Sequence, residues 1–171
     1  MEKYKDRLDE YKYNFLFDLQ KNLNEELIFF GSINRMDYFK DKSDVDIVII
    51  TENSKSLLFK IQHYLNIDKM QIKKIYQQFT KKSTKIVRGY KIKYLDVDSV
   101  FTFDIAIYDE KYRCFVMENI NKHNTMPAFL SILLYILKFM FYKLHLLPAS
   151  FFIQMKNALF YFQYNNTFFI I

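Results

Sequence analysis

Residues 31–50 read GSINRMDYFKDKSDVDIVII, and the fold turns on how that stretch is parsed. Its last six residues, VDIVII, are apolar and β-branched around one acid, the composition of a buried strand. Side chains alternate in a strand, so Asp44 and Asp46 fall on one face and Val45, Ile47 and Ile49 on the other. Neighbouring carboxylates repel each other, and burying either one uncompensated is expensive. Such a pair on the rim of an apolar strand points to a bound cation. Magnesium is the natural candidate, because it takes oxygen ligands and is commonly held by one or two carboxylates plus substrate phosphates.

Upstream, residues 27–30 form a short apolar run stopped by Gly31-Ser32, a strand followed by a tight turn. Glycine lets backbone approach a phosphate closely, and the serine adds an N–H and a hydroxyl. Alone, the dipeptide identifies nothing. Arg35 is either a phosphate contact or a solvated or aspartate-paired surface arginine. Asp37, Asp41 and Asp109 read as loop or strand-end acids.

Downstream, residues 99–109 read SVFTFDIAIYD. Phe101, Phe103, Ile105 and Ile107 share one face of a strand, and Asp104 lies opposite with Thr102 and Ala106. Asp104 is either part of the acidic cluster or an edge residue turned to solvent. A second Asp-x-Asp, Asp96 and Asp98, lacks an upstream Gly-Ser and reads as a turn leading into this strand.

The flanks supply helices. Tyr4, Leu8, Tyr11, Phe15, Leu19 and Leu23 recur at helical spacing, which predicts an amphipathic helix over residues 4–24. Ser54 is placed to cap a helix running to residue 65. Residues 69–79 and 85–94 are strand-like and lysine-laden, with Gly89 as a turn or bulge. Beyond residue 111 the pattern is helical, with Pro127 opening one helix and Pro148 separating it from a last one over 150–164. The order predicts an α+β (α/β) chain with a mixed sheet of about four to six strands flanked by helices. Residues 1–110 form the core, and residues 111–171 form a C-terminal helical extension packed on it as one compact unit.

Of the 171 residues, 25 are Lys or Arg and 19 are Asp or Glu, a net charge of +6. That balance suits a polyanionic partner such as a nucleoside triphosphate or RNA. With only 2 glycines and many Lys, Asn, Ile, Tyr and Phe, part of the basicity reflects AT-rich coding. The basic run over 81–94 is either a solvated strand face, the reading such coding favours, or an RNA track with stacking aromatics. The single cysteine, Cys114, excludes an intramolecular disulfide framework and fits a reducing, cytoplasmic setting. His63, His123 and His145 show no metal-site spacing.

Residues 128–147, AFLSILLYILKFMFYKLHLL, approach a membrane span in length. Lys138, Lys143 and His145 argue against one, and no membrane is favoured. Lys138, Tyr142 and His145 are spaced to line one helical face. The apolar C-terminal helices leave room for a homodimer or a helical protein partner.

FFGS, SDVDIVII and FTFDIAI, in that order over residues 27–108, resemble the DNA polymerase beta-like nucleotidyltransferase superfamily. The likeness is to small stand-alone or viral-type members and to the catalytic domain of poly(A) polymerases. The resemblance implies that Gly31 and Ser32 grip phosphate. It also implies that Asp44 and Asp46 are ligands shared by two Mg2+ ions, with Mn2+ as a substitute, and that Asp104 is the third catalytic and metal-binding carboxylate. The implied reaction moves an NMP from an NTP, ATP first among them, to an acceptor hydroxyl on an RNA end, a protein or a small molecule. The alternative is an inactive module of the same fold that binds nucleotide, RNA or a partner protein. With only residues 111–171 beyond the core, base selection and processivity lack the helical domain that larger members carry.

Overall fold

The computed structural model describes residues 1–77, 86–96 and 101–164, with side chains as far as residue 161. Among them are five helices and five strands. In chain order these are α1 (Glu10–Leu23), β1 (Ile28–Phe30), β2 (Val45–Thr51), α2 (Ser54–Leu65), β3 (Ile72–Gln77), β4 (Val87–Asp96), β5 (Phe101–Asp109), α3 (Arg113–Asn124), α4 (Ala128–Tyr142) and α5 (Ala149–Tyr164). The fold is α+β with a mixed sheet in the order β1-β2-β5-β4-β3. Only β2 and β5 run parallel; the other neighbours are antiparallel.

The strand alternation read from the sequence builds two apolar layers. Ile47, Ile49, Phe103 and Ile105 face Leu16, Leu19, Leu57 and Ile61 of α1 and α2. On the opposite face, Val48, Ile50, Ile75 and Tyr108 pack with Val116 and Ile120 of α3. Covering both faces explains why β2 and β5 are nearly continuous hydrophobic runs.

Local chemistry moves several expected boundaries. The first helix starts at Glu10 because Asp9 caps it, accepting the Lys12 N–H at 2.8 Å, and residues 2–4 form a separate 3-10 turn. Asn53, not Ser54, caps α2. Gly89 makes no turn: it sits inside β4, paired with Ile75 and Tyr108. A Cβ there would stand 2.6 Å from the Ile107 carbonyl oxygen and 2.7 Å from the Tyr108 ring, so the glycine serves close strand approach. Asp96 is the last residue of β4, paired with Phe101, and not a turn; it accepts the Tyr11 hydroxyl of α1, on the face away from Asp104. Asp98 and Lys81, Lys82 and Lys85 lie outside the described residues.

Helix α4 ends at Tyr142, so His145 is exposed beyond it at φ 52° and does not share the inner face with Lys138 and Tyr142. Helices α4 and α5 pair through Phe141 and Phe152, stacked at 4.2 Å, and through Leu130 and Leu134 against Leu159 and Phe160. The outer stripe Phe129, Ile132, Leu133 and Ile136 is about half-exposed. No single helix among the described residues is long and apolar enough to cross a membrane.

Candidate active site

Strand β1 ends at Phe30, and the chain turns through a 3-10 segment, Gly31–Asn34, that opens on Gly31 at φ 75°. The turn is pinned from both sides. The Gly31 N–H and the Asn34 side-chain amide both donate to Asn124 Oδ1 of α3, each at 3.2 Å. Asn34 also donates to the Phe29 carbonyl at 2.9 Å and accepts from the Tyr4 hydroxyl at 3.1 Å. Glycine is required here twice over. Its φ lies in the left-handed region, and a Cβ would stand 2.8 Å from Asp46 Oδ2, so the turn and the carboxylate share one small space.

Asp46 is paired in register with Phe30 on one side and Asp104 on the other. Its pKa is pushed up to about 6 by burial, then by the Asp104 charge, with Lys91 opposing, Asp44 adding and Lys156 opposing. Asp104 stands on β5, between β2 and β4, so its reading as an edge acid does not hold. Its Oδ2 takes Lys91 Nζ at 2.8 Å, while its Oδ1 is buried without a hydrogen-bond partner. Asp44 lies one residue before β2 and is exposed; its charge reaches Asp46.

Asp46 and Asp104 open onto a cleft of about 400 Å³. Gly31, Ser32, Asp46 and Asp104 line one wall; Val48, Ala106, Tyr108, Val116 and Ile120 make an apolar floor; Lys138, Lys156, Asn157 and Phe160 come from α4 and α5. Lys156 makes no ion pair with any described residue. His123 also lines the cleft, and burial, then the nearby Arg35 charge, lower its pKa to about 4. It is therefore a neutral imidazole near neutrality.

Arg35 reaches the cleft wall but spends its guanidinium elsewhere. Nε and Nη2 donate to the two oxygens of Asp37 at 2.8 and 3.2 Å, and Nη1 donates to the His123 carbonyl at 3.1 Å. It is aspartate-paired and buried, not a surface arginine. Asp37, read from the sequence as a loop acid, is fully buried and also accepts Lys138 Nζ at 3.0 Å through Oδ2 and at 2.8 Å through its carbonyl. This triad ties α4 to the loop between the Gly-Ser turn and Asp44.

A divalent ion suits Asp46 and Asp104 by their chemistry: adjacent carboxylates, one with a raised pKa and one with an orphaned buried oxygen. Asp44 does not complete them into a closed cage. Among the described residues no three Asp, Glu, His or Cys side chains stand together as a metal centre. Two carboxylates with substrate phosphates suffice for magnesium.

Sequence reasoning missed Lys156 and Asn124, took Lys91 only as part of the basic run over 81–94, and took Lys138 as an argument against a membrane span and as one residue of a helical face. The strand period does put Lys91 and Lys93 on the Asp104 face once β4 is paired with β5. No local signal marks Lys156 or Asn124.

The nucleotidyltransferase domain family model matches residues 13–94. The match takes in Gly31, Ser32, Asp44 and Asp46, stops short of Asp104, and supports the resemblance to the polymerase beta-like superfamily. No curated protein matches the chain. A solved structure of Cid1, described as having RNA terminal uridylyl transferase activity, is similar at 18% identity and a TM-score of 0.44. That likeness covers 75% of this chain and 40% of the Cid1 chain.

Proposed function

Proceeding from the nucleotidyltransferase domain matched over residues 13–94, we propose that the chain transfers an NMP from an NTP to an acceptor hydroxyl and releases pyrophosphate. The observation that carries this reading is the pairing of Asp46 with Asp104 beside the Gly31 turn, in a cleft whose far wall presents the Lys156 ammonium. An acid pair, a glycine turn and a cation that no described residue pairs with are what a metal-bound triphosphate needs on its three sides.

Asp46 and Asp104 would hold Mg2+ or Mn2+, with Asp44 adding charge from its loop. When bound, the ions lower the pKa of the acceptor hydroxyl and neutralise the leaving pyrophosphate. The chain's own residues supply the rest. The Gly31–Asn34 turn, held by Asn124, keeps backbone close to the phosphates. Lys156 offers a point charge to the triphosphate. His123, neutral, adds no competing positive charge. The apolar floor strengthens each of these interactions by excluding water. ATP is the donor to test first, and RNA the first acceptor.

A second reading, a module of the same fold that binds nucleotide without turning it over, is favoured by the exposure of Asp44, which leaves Asp46 and Asp104 without a third ligand among the described residues. One experiment separates the two. Purified protein is incubated with Mg2+ or Mn2+, each α-labelled NTP, and RNA, total protein or itself as acceptor, beside an Asp46→Asn, Asp104→Asn control. Label moved only by the wild type supports transfer and identifies the acceptor. Metal-dependent NTP binding with no transfer to any acceptor sinks the enzyme reading in favour of the module.

A further inference from the structure

Lys91, on β4, lines the cleft and places Nζ 2.8 Å from Asp104 Oδ2. The register partner of Asp104 on β4 is Lys93, not Lys91. Lys93 is exposed, while Lys91 reaches diagonally, from the position opposite Ala106, to meet the carboxylate. The two Asp104 oxygens therefore have different surroundings. Oδ1 is shut off from solvent and has no partner. The Asp104 side chain is nonetheless 17% exposed, so its accessible share lies with the rest of the group, where the ammonium stands. A cation entering from the cleft meets Lys91 at the oxygen it can reach.

Resting on the metal-site reading above, we infer that Lys91 is a tethered cation guarding Asp104, a positioning residue that must give way before a divalent ion can share that carboxylate. An ammonium at hydrogen-bond distance and a divalent ion on the same oxygen repel each other, and the side chain has room to swing because it is 38% exposed. Lys156 does not play this part, since it approaches from α5 and pairs with neither carboxylate. A bound triphosphate offers the Lys91 ammonium a competing anion, so full metal loading is tied to the arrival of nucleotide. Without nucleotide the acid pair stays compensated by a charge that the chain itself carries.

The test measures Mn2+ binding directly, by calorimetry and by the spin-resonance signal of free Mn2+, without nucleotide and at about pH 8, where ordinary carboxylates are ionised. Wild type, Lys91→Met, Lys91→Arg, Asp46→Asn and Asp104→Asn are compared, with circular dichroism to show that each is folded. Removing a unit charge this close to a divalent ion tightens binding on the order of tenfold in Lys91→Met. Lys91→Arg, which keeps the charge, stays near the wild type. A non-hydrolysable NTP narrows the gap between wild type and Lys91→Met. Affinity unchanged or weakened in folded Lys91→Met overturns the guarding role while leaving the metal site in place. Mn2+ bound equally well by Asp46→Asn and Asp104→Asn overturns the site and the inference together.

Discussion

Asp46 on β2 and Asp104 on β5 are register partners across the one parallel pair in the sheet. The pair is a source of instability that the site tolerates for its chemistry. A carboxyl pushed up to about 6 when folded, against an ordinary 3.8, costs the fold up to about 3 kcal/mol once ionised.

Because this folded-state pKa is raised, the contribution of Asp46 to stability is fully present below about pH 4 and is lost as pH climbs through about 6. Asp46→Asn removes the ionisation. Urea unfolding should find the variant more stable than wild type at about pH 8, by up to about 3 kcal/mol, and equal to it near pH 4. Transfer activity is abolished at every pH.

Asp37 behaves in the opposite way. Burial works against its charge, but the Arg35 hydrogen bond and the charges of Lys138 and Arg35 hold its carboxyl below 3.8. Its stabilisation persists through neutral pH and is lost only in stronger acid. Asp37→Asn leaves two buried cations uncompensated and should cost about 3–5 kcal/mol in urea unfolding. Adding Lys138→Met should restore at least about 1 kcal/mol of that loss, since the two groups are directly coupled.

Gly31→Ala places a methyl 2.8 Å from Asp46 Oδ2 at a φ of 75°. The backbone conformation alone costs roughly 1–2 kcal/mol for an alanine. The displaced carboxylate adds a functional loss, so Mn2+ affinity and transfer should fall by more than the change in stability accounts for.

Lys156→Met keeps the apolar stem and removes a charge that no described residue pairs with. Thermal stability should change by no more than about 0.5 kcal/mol, whereas NTP affinity should drop about tenfold, a loss expected for one charge-assisted phosphate contact. Equal NTP affinity in the two proteins would remove Lys156 from the triphosphate site.

The strands that carry the carboxylates were legible because VDIVII and FTFDIAI are short apolar, mostly β-branched or aromatic runs interrupted by a single acid, and their two faces survived as two packed layers. The Gly-Ser turn was legible for the same local reason. Asp44 shows the limit of that rule: the period-two pattern assigns it to the Asp46 face, but β2 begins at Val45 and the alternation stops there. Gly89 was misread because glycine usually punctuates, and only the pairing of β4 with β5 reveals the Tyr108 ring against it. The Asp37–Lys138 and Asp104–Lys91 pairs depend on tertiary packing. No periodicity in a lysine-rich chain singles out Lys138 and Lys91 as the lysines that pair with these two aspartates.

The most direct measurement supplies the protein, Mg2+ and an acceptor with ATP labelled in parallel at the α- or the γ-phosphate. Nucleotidyl transfer at Asp46 and Asp104 predicts that the α-label enters the acceptor, that the γ-label leaves as pyrophosphate, and that both events vanish in Asp46→Asn, Asp104→Asn. A γ-label found on the acceptor, or an α-label transferred undiminished by the double variant, would contradict the account.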